Sequence, residues 1–396
     1  MKAPSGDLLW QHRFNSRLTN CKPWLVESGR FFIYRYGIRG KGIPDMNSRS
    51  RKVLITISKL FLAIILTAAA SLAGFRSYHQ ARLRAERAAI RHIAGQYVEV
   101  GGQRMNVYTA GSGVRTLVFL AGYGTPSPVF DFKPLYSRLT DHCRIAVIEK
   151  FGYGYSDEYA GERAVDIVVD EAREALSRLD ITGPFILAAH SAGGIEALWW
   201  AEHYPDEVEG IIGLDSSIPA QYTAYRVPQD PDAWEAQDMD EAVSAMAVYD
   251  FFMYDIGLIR LLMNPDKMLP ALSSNVLTET EKEQYRAIAY DMYCRGSGAA
   301  FQRETIMTSR QLADLREYCS SPVPDVPTLF FVSDGRVMER VMEPADWIRI
   351  HTEYISGLTN GSIVYLDCGH FVHAERPAET ASGIISFIES LDLQGG

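Results

Sequence analysis

Phe185-Ile186-Leu187-Ala188-Ala189-His190-Ser191-Ala192-Gly193-Gly194 decides how the rest of this chain is read. Its five leading apolar residues predict a strand buried on both faces, and the pattern from Gly194 to His203 predicts a helix directly after it. Between them a serine sits in a small-x-Ser-x-Gly turn, where small neighbours let the chain bend sharply and hold the hydroxyl out strained and exposed. The turn also sets Ser191 at a helix amino terminus, whose free N–H groups favour developing negative charge. Ala189 stands at the first small position, where close packing tolerates a methyl. A serine that merely caps a helix is the competing reading, and the strand-turn-helix context weighs against it. His190 reads as a structural part of the turn.

Outward from this stretch the same grammar repeats. Short apolar runs at Thr116–Ala121, Arg144–Ile148, Pro184–Ala189, Gly210–Leu214, Thr328–Val332 and Ser362–Leu366 predict strands apolar on both faces. Helical patterns lie between or after them at Phe132–Leu139, Ala164–Leu179, Gly194–His203 and Ala378–Leu391. Ahead of them, Gln96–Val100 and Arg104–Thr109 flank Gly101-Gly102 as a hairpin. The expected fold class is therefore α/β, with a mostly parallel eight-stranded sheet and its active site at the carboxyl ends of the strands. From about Pro219 to Pro322 no clear strand appears. Helical stretches near Asp240–Met263 and Thr278–Tyr293 predict a helical cap at 219–322, inserted into a core of 96–218 and 323–396. Its Tyr249, Phe251, Phe252, Met253, Tyr254 and Met263 are read mainly as packing of cap on core, with a minority lining an acyl or aromatic pocket.

Charge is unevenly distributed. Residues 1–91 carry 17 Lys+Arg against 4 Asp+Glu, and residues 92–396 carry 22 against 45. An acidic body repels polyanions, so a nucleic-acid partner is set aside. The five cysteines show no CxxC spacing, which argues against zinc and redox motifs; pairing of Cys294 with Cys319 is the one alternative to free or buried thiols.

Val53 to Phe75 is apolar except for Lys59, a length that matches a bilayer span, and Lys59 is placed to snorkel. A basic tail (1–52) precedes it and an Ala/Arg-rich stalk (76–95) follows. Ser71-Leu72-Ala73 offers a cleavage site, so a removable secretion signal is the alternative to an uncleaved anchor. The length favours the anchor. Six Lys+Arg upstream (33–52) against five downstream (76–95) do not fix orientation. A single amino-terminal anchor normally sends the following domain out, and an extracytoplasmic domain is the expectation. Met46 is read as the natural start.

From Val98 onward the chain resembles the α/β-hydrolase superfamily, and is most similar to a group of bacterial membrane-attached hydrolases. The resemblance rests on the serine turn above, Leu120-Ala121-Gly122-Tyr123-Gly124, Glu149-Lys150-Phe151-Gly152-Tyr153-Gly154-Tyr155-Ser156-Asp157, and Cys368-Gly369-His370. Ala121 in place of the usual His, and Ala189 in place of Gly, remove no reacting group. The Gly152-x-Gly154 pair lacks the third glycine and helix of a dinucleotide site. The resemblance implies an acyl-enzyme mechanism with Ser191 as nucleophile, His370 as base, and the N–H groups of Tyr123 and Ala192 as oxyanion donors. Asp334 is favoured as the acid, with Asp215 the alternative. His373 reads as lying behind the reacting groups or at the surface, and neither a cofactor nor a metal is expected. The implied function is hydrolysis of a carboxylic ester, or else an amide or lactone. The alternatives are a non-hydrolytic serine enzyme (lyase or perhydrolase) and a catalytically silent ligand-binding protein. Serine at the turn argues against epoxide hydrolases and dehalogenases, which use aspartate there.

Overall fold

The computed structural model describes residues 47–159, 161, 163–221, 249–294, 324–336 and 342–394. The basic tail up to Met46, Cys21, Cys319 and most of the expected cap (222–248 and 295–323) lie outside the described residues. The chain divides into two compact units, Met1–Ile64 and Ile65–Gly396. A 42-residue helix, Ser48–Ala89, contributes residues to both, so the apolar stretch and most of the stalk belong to one element. It is long and apolar enough to cross a membrane. In the second unit a stripe of this helix is wholly or partly buried: Leu72, Phe75, His79, Leu83 and Glu86, continued by Ile90 just beyond its end. The spacing of three and four residues marks one helical face.

Eight strands form one sheet: β1 (Gln96–Val100), β2 (Gln103–Ala110), β3 (Thr116–Leu120), β4 (Arg144–Glu149), β5 (Phe185–His190), β6 (Val208–Leu214), β7 (Thr328–Val332) and β8 (Gly361–Tyr365). Their spatial order is β1-β2-β4-β3-β5-β6-β7-β8. β1 and β2 form the antiparallel hairpin, β2 pairs antiparallel with β4, and every later pairing is parallel. The apolar runs became strands because side chains of alternate parity enter two separate cores. Leu117, Phe119, Ile186 and Ala188 join one cluster, and Val118, Leu120, Leu187 and Ala189 the other. β8 departs from this pattern. As an edge strand it leaves Val364 and Tyr365 exposed, because no strand lies beyond it.

Helices Val165–Ser177, Gly193–His203 and Pro344–Ser356 supply residues to the second core, and Glu279–Cys294 to the first. The Pro344–Ser356 helix was not anticipated, although Pro344 at its start and buried Trp347, Ile350, His351 and Ile355 at helical spacing mark it. Of the pattern Phe132–Leu139 a short helix covers Lys133–Tyr136, and another, Pro128–Asp131, precedes it. Of the residues expected in a cap, Tyr249, Phe251 and Phe252 are exposed instead of packed on the core, the last two within a π-helical turn, Phe251–Asp255. Cys143, Cys294 and Cys368 are buried free thiols.

The strand order reverses between β3 and β5, because the chain leaves β3 toward β4 on one side and returns to β5 on the other. Such a switch point opens a crevice at the carboxyl ends of the two strands. The loops after β3 and β5 flank it.

Candidate active site

β5 ends in His190, and Ser191 follows with φ +51, a left-handed conformation that costs a non-glycine residue energy. Two hydrogen bonds hold it there: the Ser191 carbonyl accepts from Gly194 N (2.9 Å) and Ser217 N (2.7 Å). The space around the turn explains its composition. A Cβ on Gly193 would lie 2.5 Å from Leu120 O, and one on Gly194 would lie 2.3 Å from Ser217 O. A Cβ on Gly122 would lie 2.6 Å from the Ser191 Cβ and 3.2 Å from its Oγ. The loop after β3 thus passes directly against the serine, as the switch point requires.

That loop is pinned from three directions. Gly122 O accepts from Thr125 Oγ1 (3.2 Å), Gly124 N donates to the Tyr153 hydroxyl (3.3 Å), and Gly124 O accepts from the Tyr293 hydroxyl (2.6 Å). The Lys150 ammonium lies 5.8 Å from the Tyr123 ring centroid and 2.6 Å from Glu196 in a buried ion pair. Glu196 is on the helix that begins at Gly193, so this pair ties the β4 loop to the serine turn. Gly152 and Gly154 both have positive φ, and a Cβ on Gly154 would meet the buried Glu149 carboxylate at 2.0 Å. The glycine pair is a tight structural turn around that carboxylate.

His370 lies in the loop after β8. Its Nδ1 meets Asp215 Oδ2 at 2.6 Å. Asp215 ends the β6 run with φ +50, and its fully buried carboxylate collects three further donors. Oδ1 accepts from Ser333 N (2.8 Å) and Trp347 Nε1 (2.9 Å), and Oδ2 accepts from Ser333 Oγ (2.9 Å). Burial alone would raise this carboxyl's pKa. The His370 hydrogen bond and charge, with the Ser333 and Trp347 donors, carry it below the usual value. The favoured acid, Asp334, is not the carboxylate His370 meets. Both of its oxygens are taken by Arg336, through N (2.9 Å) and Nε (2.6 Å), and that guanidinium holds its pKa down. Asp215, the alternative, is the carboxylate that His370 meets. Ser333 and Trp347 were missed altogether. Only the need of a buried indole N–H for an acceptor hints at the second.

His190 and His373 are both buried, so His373 is not a surface residue. The His190 ring lies 4.6 Å, centroid to centroid, from that of His370, and its Nε2–H donates to the His370 carbonyl (3.2 Å). His373 Nε2 donates to Asp131 Oδ2 (2.8 Å), whose Oδ1 accepts from the Tyr285 hydroxyl (2.7 Å). Ligand atoms of Asp131, His190 and His373 lie within 4.8 Å of one another, the arrangement among the described residues with metal-binding chemistry. Hydrogen bonds occupy Nε2 of His373 and both Asp131 oxygens, while the buried Nδ1 atoms of His190 and His373 have no hydrogen-bond partner among the described residues.

Burial, then the charges of His370 and His373, holds the His190 pKa well below 6.5, and burial also lowers that of His351. Well above pH 6.5 both are neutral in folded and unfolded chains alike. Below it the unfolded chain takes up protons that the folded chain refuses, so stability falls with pH by up to about 1.4 kcal/mol per unit for each histidine. The denaturant midpoint is expected to drop between about pH 7 and about pH 5. A midpoint that stays level, or rises, over that window contradicts the assignment.

Residues 117–382 match the description "Alpha/beta hydrolase family". The chain is 35% identical over 217 residues to the uncharacterized protein YbdG of Bacillus subtilis, covering 54% of this chain and 62% of that one. It is 32% identical over 147 residues to a 2-(acetamidomethylene)succinate hydrolase of Mesorhizobium japonicum, covering 37% and 49%. Less than two thirds of either relative is spanned. A crystal structure of a putative lipase from Acinetobacter baumannii superposes with a TM-score of 0.54 at 16% identity, over 80% of this chain and 97% of the other. With the family matched across most of its length, around a strand-turn-helix serine and a histidine loop on one eight-stranded sheet, the chain belongs to the alpha/beta hydrolase family.

Proposed function

We propose that the protein is a serine hydrolase that cleaves a carboxylic ester through an acyl-enzyme, with Ser191 as nucleophile, His370 as base and Asp215 as the acid that orients the imidazole. The observation that carries this reading is the 2.6 Å contact between His370 Nδ1 and a buried carboxylate. It commits Nδ1 to donating and leaves Nε2 as the basic nitrogen. Ser191 Oγ attacks the carbonyl carbon while its proton passes to Nε2. The resulting oxyanion is stabilised by the N–H groups of Tyr123 and Ala192, each worth about a hundred- to thousandfold in rate. Collapse breaks the bond to the alkoxide, which leaves with the proton from Nε2. Water then repeats the sequence on the acyl-enzyme and releases the acid.

Cleavage of an amide is the second reading, favoured by the Mesorhizobium relative, whose name carries an acetamido group. This reading takes the chain as a tail (1–52), an anchor (53–75), a stalk (76–95), a core (96–218 and 323–396) and a cap (219–322), with the hydrolase domain extracytoplasmic. A fluorophosphonate probe tests the central claim. Wild-type protein is expected to label covalently and Ser191→Ala to stay unlabelled. Equal labelling of both removes Ser191 from the chemistry, and a folded wild type that does not label removes the enzyme.

A further inference from the structure

The cap segment that follows Tyr249 is clamped to the long amino-terminal helix at a defined height. Arg260 donates from both terminal nitrogens to Glu86 (2.8 and 2.6 Å) and from Nε to His79 Nδ1 (2.8 Å). Gly257 packs so closely on the helix that a Cβ there would lie 2.2 Å from the His79 ring. Farther along, Arg87 pairs with Asp291 (2.7 Å), and Gln284 Nε2 donates to Ala89 O (2.8 Å). The apolar stretch of the same helix ends at Phe75, four residues before His79, which at the α-helical rise is about 6 Å. Where a helix leaves the hydrocarbon, the headgroup layer is about 5–8 Å thick. Gly257 and its neighbours therefore sit at headgroup depth if the stretch spans a bilayer.

On both sides of Gly257 the segment turns large apolar side chains outward. Leu261 is 72% exposed and Leu262 69%, while Phe251 and Phe252 are also exposed. Single exposed apolar residues are ordinary, but here four large ones are exposed within a dozen positions, Phe251 and Phe252 with their rings in contact. Arg76 is exposed on the adjoining helix directly after the apolar stretch, where a cation suits anionic lipid headgroups. We propose that Phe251, Phe252, Leu261 and Leu262 enter the lipid bilayer at the headgroup–acyl boundary beside the anchor helix, so that the cap rides on the membrane surface at a depth set by the packing of Gly257 on His79. This rests on reading the Val53–Phe75 stretch as a bilayer span.

Nitroxide depth measurement on the full chain decides it. Cys21→Ser and Cys319→Ser leave only the buried thiols, and single labels go on Leu262→Cys, Phe251→Cys, Leu66→Cys in the apolar stretch, and Val114→Cys, a fully exposed position. The protein is placed in phosphatidylcholine–phosphatidylglycerol vesicles, and each label's accessibility to oxygen is compared with that to a water-soluble nickel chelate. Labels at 262 and 251 are expected to favour oxygen, as at 66, with the ratio reversed at 114. Labels at 262 and 251 that behave like 114 while 66 favours oxygen overturn the proposal and leave the span intact. A label at 66 that favours nickel removes the span and the proposal together. Neither outcome depends on hydrolysis.

Discussion

His370→Ala is expected to lower turnover of a simple aryl ester by about a millionfold, the scale on which loss of the base disables a serine enzyme. The size follows from the geometry. Asp215 binds Nδ1, so the one imidazole nitrogen left basic is Nε2, and alanine removes it along with the hydrogen bond at 2.6 Å. The histidine loop itself has other supports. Gly369 N donates to Glu375 (2.8 Å), His190 bonds the carbonyl of residue 370, and His373 is held by Asp131. The variant should therefore fold, and the loss should fall on kcat. Initial rates at saturating ester, with a matched thermal melt, measure it. A folded variant within about tenfold of wild type would take His370 out of the mechanism, because triad members act as a unit.

The parts of this molecule that were readable from sequence are those decided by neighbours along the chain. Parallel strands covered on both faces need unbroken apolar runs, so Thr116–Leu120 and Thr328–Val332 announce themselves. The serine turn is readable for a similar reason. Gly193 and Gly194 are required by backbone atoms of Leu120 and Ser217, and the local sequence shows that requirement as small residues. Partner choice over long distances is different. His373 meets Asp131 across 242 positions, and nothing within the Cys368–His373 stretch reveals whether that ring is buried. The exposed Tyr249, Phe251 and Phe252 mislead for a related reason: hydrophobicity predicts burial against something, and the sequence does not say against what.

Which carboxylate meets His370 was the least readable feature, because two aspartates end adjacent strands. Asp334 follows β7 and Asp215 follows β6, and neither carries a local mark of its role. The choice is made by donors that converge from elsewhere. Ser333 comes from the end of β7 and Trp347 from the following helix, and both aim at Asp215. Arg336 meanwhile claims Asp334 within two residues. Ser191 and Asp215 also share a left-handed backbone, unfavourable for both.

Asp215→Asn separates these two aspartates and carries its own sign argument. Oδ1 faces two groups that can only donate, Ser333 N and Trp347 Nε1, so the asparagine carbonyl oxygen must occupy that position. The amide NH2 then takes the place of Oδ2 and points at His370 Nδ1. A donor facing Nδ1 forces the opposite tautomer, with the proton on Nε2, where it cannot accept one from Ser191. The fold changes little and the chemistry stops: kcat/KM is expected to fall about ten-thousandfold. Asp334→Asn disturbs only the exposed contact with Arg336 and should stay within about twofold of wild type, as surface pairs are worth little. Fluorophosphonate labelling rates on both variants measure the same thing without a substrate. Normal labelling of Asp215→Asn with slow labelling of Asp334→Asn would return the role to β7. A loss in both would mean that His370 is oriented by something other than the single carboxylate at 2.6 Å.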